Sequence, residues 1–212
     1  MTETTTLHAG APPASVTIEP DATPLVRLIG RTLRDSVRIG HESDTLSQAT
    51  GTVALRSHDT PQAATITFRD AEIAVTSGVS VEPDATVVAD LRARFSPAQE
   101  PAGNTQLADV ALRALTPPLP PWREAARRFW DLARGITGIP DVLVVVSEGE
   151  SEERFGAGAS EYLIAGSPDV LAGVLTGADD FLAALTSGLH VKGTWAQLSV
   201  MTAAFWKVRF DV

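Results

Sequence analysis

From Gly51 onward the hydrophobic period of the chain is two, and this limits the fold more than any other feature. "TVALRSH" alternates as a strand, and "AATITFRDAEIAVTSG" reads as a hairpin turning at Arg69-Asp70-Ala71. "DATVVADL" supplies a third segment. Ile66, Phe68, Ile73 and Val75 fall on one face of an antiparallel sheet, and that apolar face needs a helix or another sheet upon it. A helix precedes these strands. Thr23-Pro24 is a capping hydroxyl followed by proline at the first helical position. Leu25, Leu28, Ile29, Leu33 and Val37 then form one stripe, with Arg27, Arg31 and Arg34 mostly off it, and the helix fades by Gly40. Helix and strands together give an expected class of α+β, with either a helix or a second sheet on the antiparallel sheet.

Residues 1–22 are rich in Thr, Ala and Pro without a period, which predicts a flexible arm. Residues 96–121 read as a linker carrying a short helix at Leu107 to Leu115 and ending in "TPPLPP". "WREAARRFWDLARGI" follows as a helix, its stripe Trp122, Ala126, Phe129, Leu132, Ala133 and Ile136. Arg123, Arg127, Arg128 and Arg134 lie largely off that stripe. They suggest an anionic headgroup or phosphate, but the solvated-face reading outweighs it.

The last third has a similar order. "DVLVVVSEGESEERFGAG" is strand, acidic turn, strand, and "SEYLIAGS" a third strand. Set beside "TITFRDAEIAVTSGVSVEPDATVVAD", this predicts an internal duplication of a three-stranded unit in pattern rather than in letters. Two short helices come next. Ser167 caps the first and Gly177 ends it; Asp179 is expected to cap the second and Gly188 to end it. "LHVKGTW" alternates, and "AQLSVMTAAFWKV" reads as a terminal helix.

Composition narrows the chemistry. The chain has 212 residues and no Cys, which removes disulfides and thiolate catalysis. A formal charge of −9 disfavours a nucleic-acid partner. No apolar run is long enough to span a bilayer, so no integral membrane segment is expected. Nothing at the amino terminus reads as a signal peptide, and a cytoplasmic location is expected. Only Lys192 and Lys207 are lysine among 17 basic residues, which with the Ala-rich composition suggests a GC-rich bacterium. No phosphate loop, nucleophile elbow or complete dinucleotide fingerprint occurs. The four histidines (8, 41, 58 and 190) are far apart, so neither a metal site nor a cofactor is expected. The acidic run Glu148, Glu150, Glu152 and Glu153 reads as a solvated turn. His190 and Lys192 share one face of a strand, which makes a proton-transfer pair conceivable.

At "SPDVLAGVLTGADDFLAALTSGLHVKGTW" the sequence resembles the sterol carrier protein type 2 (non-specific lipid-transfer) family. Asp169, Leu171 and Leu175 lie on the first helix, Phe181 and Leu185 on the second, and Gly188-Leu189-His190-Val191-Lys192-Gly193 matches the family's closing motif. The match covers roughly 142–206, with a weaker one over roughly 50–95. The chain is about twice the length of one such domain, and its first copy lacks the helix pair and the closing motif. The resemblance implies a twisted sheet covered by helices, with an apolar tunnel between them and no catalytic residues. The expected division is a 1–22 arm, a first lobe at 23–116 and a second at 117–212, with one merged domain as the alternative.

The leading expectation is therefore a carrier or sequestering protein for a fatty-acyl, sterol or isoprenoid, or polyketide-like molecule, with transient membrane contact allowed. Its pocket would be lined by Phe181, Leu182, Leu185, Leu189, Val191, Leu198, Met201 and Phe205, apolar and adaptable side chains. These residues equally suit an ordinary core. The alternative is an isomerase or cyclase using the same pocket, with His190, Lys192, Glu161 and Tyr162 as the candidate catalytic groups. The third is an interaction role with the interior filled. Neither the ligand nor the oligomeric state can be read from the letters.

Overall fold

The computed structural model describes residues 14–79, 82–149 and 152–211. Helix α1 (Pro24–Arg38) starts where the cap predicts, Thr23 Oγ1 accepting the Val26 N–H at 3.4 Å. A short α2 (Ser43–Gln48) leads into β2 (Gly51–Ser57), β3 (Ala63–Arg69), β4 (Glu72–Ser77) and β5 (Ala85–Asp90). Asp70 and Ala71 both have positive φ (49° and 61°), the geometry of a two-residue hairpin turn whose twist suits the flanking strands. β2, β3 and β4 form an antiparallel meander. β5 then returns to the far side of β2 and pairs with it in parallel.

The class is α+β, with helices laid on sheets. The sheets are two rather than one, and both are mixed. In the first, the free edge of β4 is taken by β1 (Ser15–Ile18), running parallel to it. Part of the expected arm is therefore a strand, while residues 1–13 lie outside the described residues. An open sheet edge favours such a partner. Val16 and Ile18 pack against the core, and Gly30 of α1 leaves room for Ile18, since a Cβ there would collide with the Ile18 methyl.

The expected linker also carries structure. β6 (Ser96–Pro97) and β7 (Ala102–Gly103) pair back onto β5, and α3 (Thr105–Leu115) puts Leu107, Ala108, Ala111 and Leu115 into the first core. Only the prolines after α3 cross the lobes without regular structure.

The second lobe begins with α4 (Trp122–Ala133). β8 (Val142–Ser147), β9 (Glu152–Gly156) and β10 (Glu161–Gly166) follow, then α5 (Pro168–Leu175), α6 (Phe181–Ala184), β11 (His190–Lys192) and α7 (Trp195–Phe210). The sheet order is β11-β10-β8-β9, with β8 and β10 parallel. Both lobes thus hold a hairpin whose third strand returns in parallel beside the first: β2-β3-β5 in one and β8-β9-β10 in the other. The letter comparison had set β3-β4-β5 against β8-β9-β10. It was displaced by one strand because β4, which has no counterpart in the second lobe, reads as a strand like any other.

Two details of the helices depart from the sequence reading. Leu132 stands 57% exposed, because α4 presents only Trp122, Ala125, Ala126, Phe129 and Ala133 to the core. The α6 cap is Asp180, whose carboxylate accepts the Ala183 N–H at 2.9 Å, while Asp179 turns away to Arg94.

Each lobe closes its own apolar core, and a polar seam joins them. Arg209 of α7 is 4% exposed and donates to the carbonyls of Gly177 (2.7 Å), Ala178 (3.0 Å) and Leu91. Gly177 has φ +74°, and a Cβ there would sit 2.7 Å from the Arg209 Cα, so a side chain would push α7 off the seam. Arg31 of α1 answers from the other lobe, donating to the Thr176 and Arg209 carbonyls at 2.7 and 3.1 Å. Burial pulls Arg209 down to about 10, which leaves it cationic at neutral pH.

Replacing Arg209 by Ala strands three carbonyls that it satisfies from buried positions. The expected loss is about 3 kcal/mol of unfolding free energy. Urea denaturation of the variant against the parent checks this, and a change under about 1 kcal/mol would mean that water replaces the guanidinium freely.

Candidate functional site

Where the seam ends, the two cores leave a recess of about 550 Å³, within the range of small-molecule sites. Its floor and walls come from five stretches of chain. The carboxy-terminal half of α1 contributes Arg31, Asp35, Arg38 and Ile39. The turn after β5 contributes Arg94 and Phe95, both non-glycine residues with positive φ (49° and 55°). Such a pair is costly unless held from outside, and here ion pairs hold Arg94 while Phe95 is buried in the first core. The third wall is the proline segment, with Leu115, Pro117, Pro118, Leu119 and Pro120 facing the cavity. Proline fixes φ, so this wall enters the site already ordered. Glu124 and Arg128 of α4, and Asp169 with Thr176 around α5, complete the enclosure.

The charges are arranged in two groups. Arg94 is gripped by two carboxylates: its Nε and Nη2 reach Asp179, and Nη1 and Nη2 reach Asp169 at 3.0 and 2.8 Å. Burial alone would lower the Arg94 guanidinium, but hydrogen bonds from Asp169 and then Asp179 outweigh it and hold it raised. Arg94 in turn depresses Asp169. At the other group one carboxylate serves two guanidiniums. Asp35 Oδ2 accepts from Arg31 at 3.1 Å and Oδ1 from Arg38 at 2.6 Å. Burial lowers Arg31, with the Asp35 charge opposing it. Arg128 pairs with Glu124 along α4.

The structure puts the expected ligand-binding residues elsewhere. Phe181, Leu189, Met201 and Phe205 are buried in the second core, and Leu185, Val191 and Leu198 pack against it. Phe205 is stacked between Phe181 and Phe129, with ring centroids 4.2 and 4.5 Å apart. Leu182 points out and is 44% exposed. Seven of the eight are thus brought together as packing, and none of the eight lines the recess.

The four catalytic candidates do not converge. Glu161, His190 and Lys192 are exposed on the outer face of the second sheet, where Glu161 pairs with Arg154. Tyr162 lies on the opposite face because side chains alternate along β10. Its hydroxyl is buried and has no hydrogen-bond partner among the described residues, and its ring packs where a Cβ on Gly193 would collide. Burial raises the phenol to about 12, far from useful proton transfer at neutral pH. Of the acidic run, Glu153 pairs with Arg123 and Glu152 with Arg154, while Glu150, like His8, lies outside the described residues.

Sequence reasoning missed Arg31, Asp35, Arg38 and Arg94 as site residues. The available signal was the set of arginines off the α1 stripe, facing a proline run that contains one leucine.

Fold and recess together define a two-lobed α+β protein with a partly polar cavity at the lobe junction. No family model matches the chain, and no curated protein matches it. A solved structure titled UbiJ-SCP2 ubiquinone synthesis protein is similar over 46% of this chain and 96% of its own, at 19% identity and a TM-score of 0.31. A likeness at that level says nothing of ligand or activity. Among the described residues no helix is long and apolar enough to cross a membrane, and no cluster of three His, Cys, Asp or Glu could hold a metal ion.

Tyr162 is the single tyrosine of the chain, so its ionisation can be followed directly by tyrosinate absorbance. Its folded value, about 12, is above the ordinary value of 10.0. The stability this contributes is complete below the unfolded value and is lost as pH rises through the folded one. Absorbance at 295 nm is expected to stay flat through pH 10 and rise only towards 12, or at unfolding, whereas the urea-unfolded chain titrates near 10. A native midpoint near 10 would show that the ring is open to solvent.

Proposed function

We propose that the protein binds a hydrophobic small molecule, as a carrier or sequestering protein, in the recess between its lobes. The observation that carries this reading is the recess itself, with a rigid proline wall bearing Leu115 and Leu119 and with Ile39 and Phe95 also in its lining. Apolar side chains supply the driving force and the few polar groups supply orientation, as is usual for small-molecule sites. A ten-carbon chain that buried all its methylenes would gain roughly 8 kcal/mol before the cost of association. Pre-ordering of the proline wall reduces that cost, because the segment loses little freedom when a ligand arrives.

The fatty-acyl, isoprenoid and polyketide-like classes all meet these requirements. Seven of the eight residues expected to line the pocket, all but Leu182, support the reading indirectly. By filling the second core they leave the lobe junction as the described place where an apolar body can be enclosed by both lobes.

Calorimetric titration with n-decanol tests the proposal. Saturable binding at one site is expected, weakened at least tenfold by Leu119→Trp, which fills the recess. Phe205→Leu should lower the unfolding midpoint while leaving the affinity within about twofold. A loss of affinity in Phe205→Leu with none in Leu119→Trp would move the site into the second core. Absence of saturable binding would remove the proposed function.

A further inference from the structure

The cavity is electrically lopsided. Four arginines line it (31, 38, 94 and 128) against three carboxylates, Asp35, Glu124 and Asp169. Arg128 and Glu124 neutralise each other, and Arg94 is more than neutralised by Asp169 together with Asp179. The excess therefore lies at Arg31 and Arg38, which share the single carboxylate of Asp35.

The hydrogen-bond inventory points to the same place. Arg31 uses Nε on the Arg209 carbonyl and Nη1 on Asp35 and the Thr176 carbonyl, and its Nη2 has no partner among the described residues. Arg38 uses Nη2 on Asp35, and its Nε and Nη1 are likewise unspent among them. Arg31 is fixed by its bonds across the lobe seam, with 13% of its side chain exposed; Arg38 reaches solvent, with 62% exposed. One enclosed and one solvent-facing guanidinium, each with N–H groups that have no partner among the described residues, suit a planar or tetrahedral oxyanion. The carboxy end of α1 contributes about half a negative charge nearby, which reduces the excess without cancelling it.

We infer that the recess takes an amphiphile with one anionic head, a carboxylate or a phosphate monoester. The head lies against Arg31 and Arg38, and the apolar body lies along Leu115, Leu119 and the prolines. The ligand then spans α1 of the first lobe and the linker into the second. This rests on the reading of the recess as the binding site and adds the charge of what it binds.

The test is a set of calorimetric titrations at one ionic strength and below aggregation, with n-decanoate, n-decyl phosphate, n-decanol, n-decyltrimethylammonium and inorganic phosphate. Decanoate and decyl phosphate are expected to bind at least tenfold more tightly than decanol, and decyltrimethylammonium more weakly than decanol. Inorganic phosphate should bind at least a hundredfold more weakly than decyl phosphate. R38Q should reduce the decanoate-to-decanol ratio at least threefold. R69Q, which removes the same charge from the exposed end of β3, should leave that ratio unchanged. Equal affinity for decanoate and decanol overturns the anionic head and leaves the hydrophobic site standing. Inorganic phosphate binding as tightly as decyl phosphate overturns the amphiphile in favour of a plain anion site. A ratio that ignores R38Q, or follows R69Q equally, overturns the placement at Arg38. No binding of any probe overturns both this inference and the function on which it rests.

Discussion

Two guanidiniums, those of Arg31 and Arg209, hold carbonyl groups from segments that otherwise belong to separate cores. Arg209 gathers Leu91 from the end of the first sheet and Gly177 and Ala178 from the turn after α5. Arg31 makes the return contact, donating to the carbonyls of Arg209 itself and of Thr176. The backbone follows the same line, since the Asp180 N–H donates to the Arg92 carbonyl at 3.0 Å and Ala93 bridges to Asp179. Buried cations are tolerated here because each has carbonyl partners; without them the desolvation cost would not be met. A polar junction of this kind fixes the relative position of two lobes without merging their apolar interiors.

The recess follows from that arrangement. Each lobe covers its own sheet mainly with its own helices, and of α7 only Phe210 packs against the first core, so apolar side chains fill the junction only in part. The segment between them is built from prolines, which provide no N–H for a sheet and cannot continue a helix. It can only lie along the gap as a wall. Arg94 and Phe95 are held in left-handed backbone at the same gap, one by Asp169 and Asp179 and the other by the first core. Positions constrained from both sides in this way are where a fold stores geometry that packing alone would not choose.

Much of the local structure was legible in the letters, because it depends on neighbours in sequence. Thr23-Pro24, Ser167-Pro168 and the Asp70-Ala71 turn act within four residues, and the alternation of β2 to β5 needs only a period. The family-like closing motif from Gly188 to Gly193 was also readable as architecture: Leu189 turns inward and His190 and Lys192 outward. What could not be read was partnership across the lobes. Arg31, Asp35 and Arg38 on α1 look like an ordinary charged helix face until α4, α5 and the proline segment are placed opposite them. Conversely, Phe181, Met201 and Phe205 look the same in sequence whether they enclose a ligand or one another. The stack of Phe205 between Phe181 and Phe129, the last far away on α4, is a contact that no spacing within the terminal helices encodes.

The likeness of the two lobes bears on where the recess lies. Both lobes use a hairpin with a returning parallel strand, preceded by a helix, α1 in one case and α4 in the other. In each lobe that helix covers its own sheet with an apolar stripe and carries arginine on other faces. Joining two such units turns the charged flanks of α1 and α4 towards one cavity, where Arg31, Arg38 and Arg128 meet. Either helix alone would leave these side chains solvated, and their charge would be screened. Enclosed between the lobes beside leucine and proline, the same charges act at lower dielectric on whatever shares the cavity with them. A recess of this character needs no residue type foreign to a helix surface, only the second lobe that closes over it.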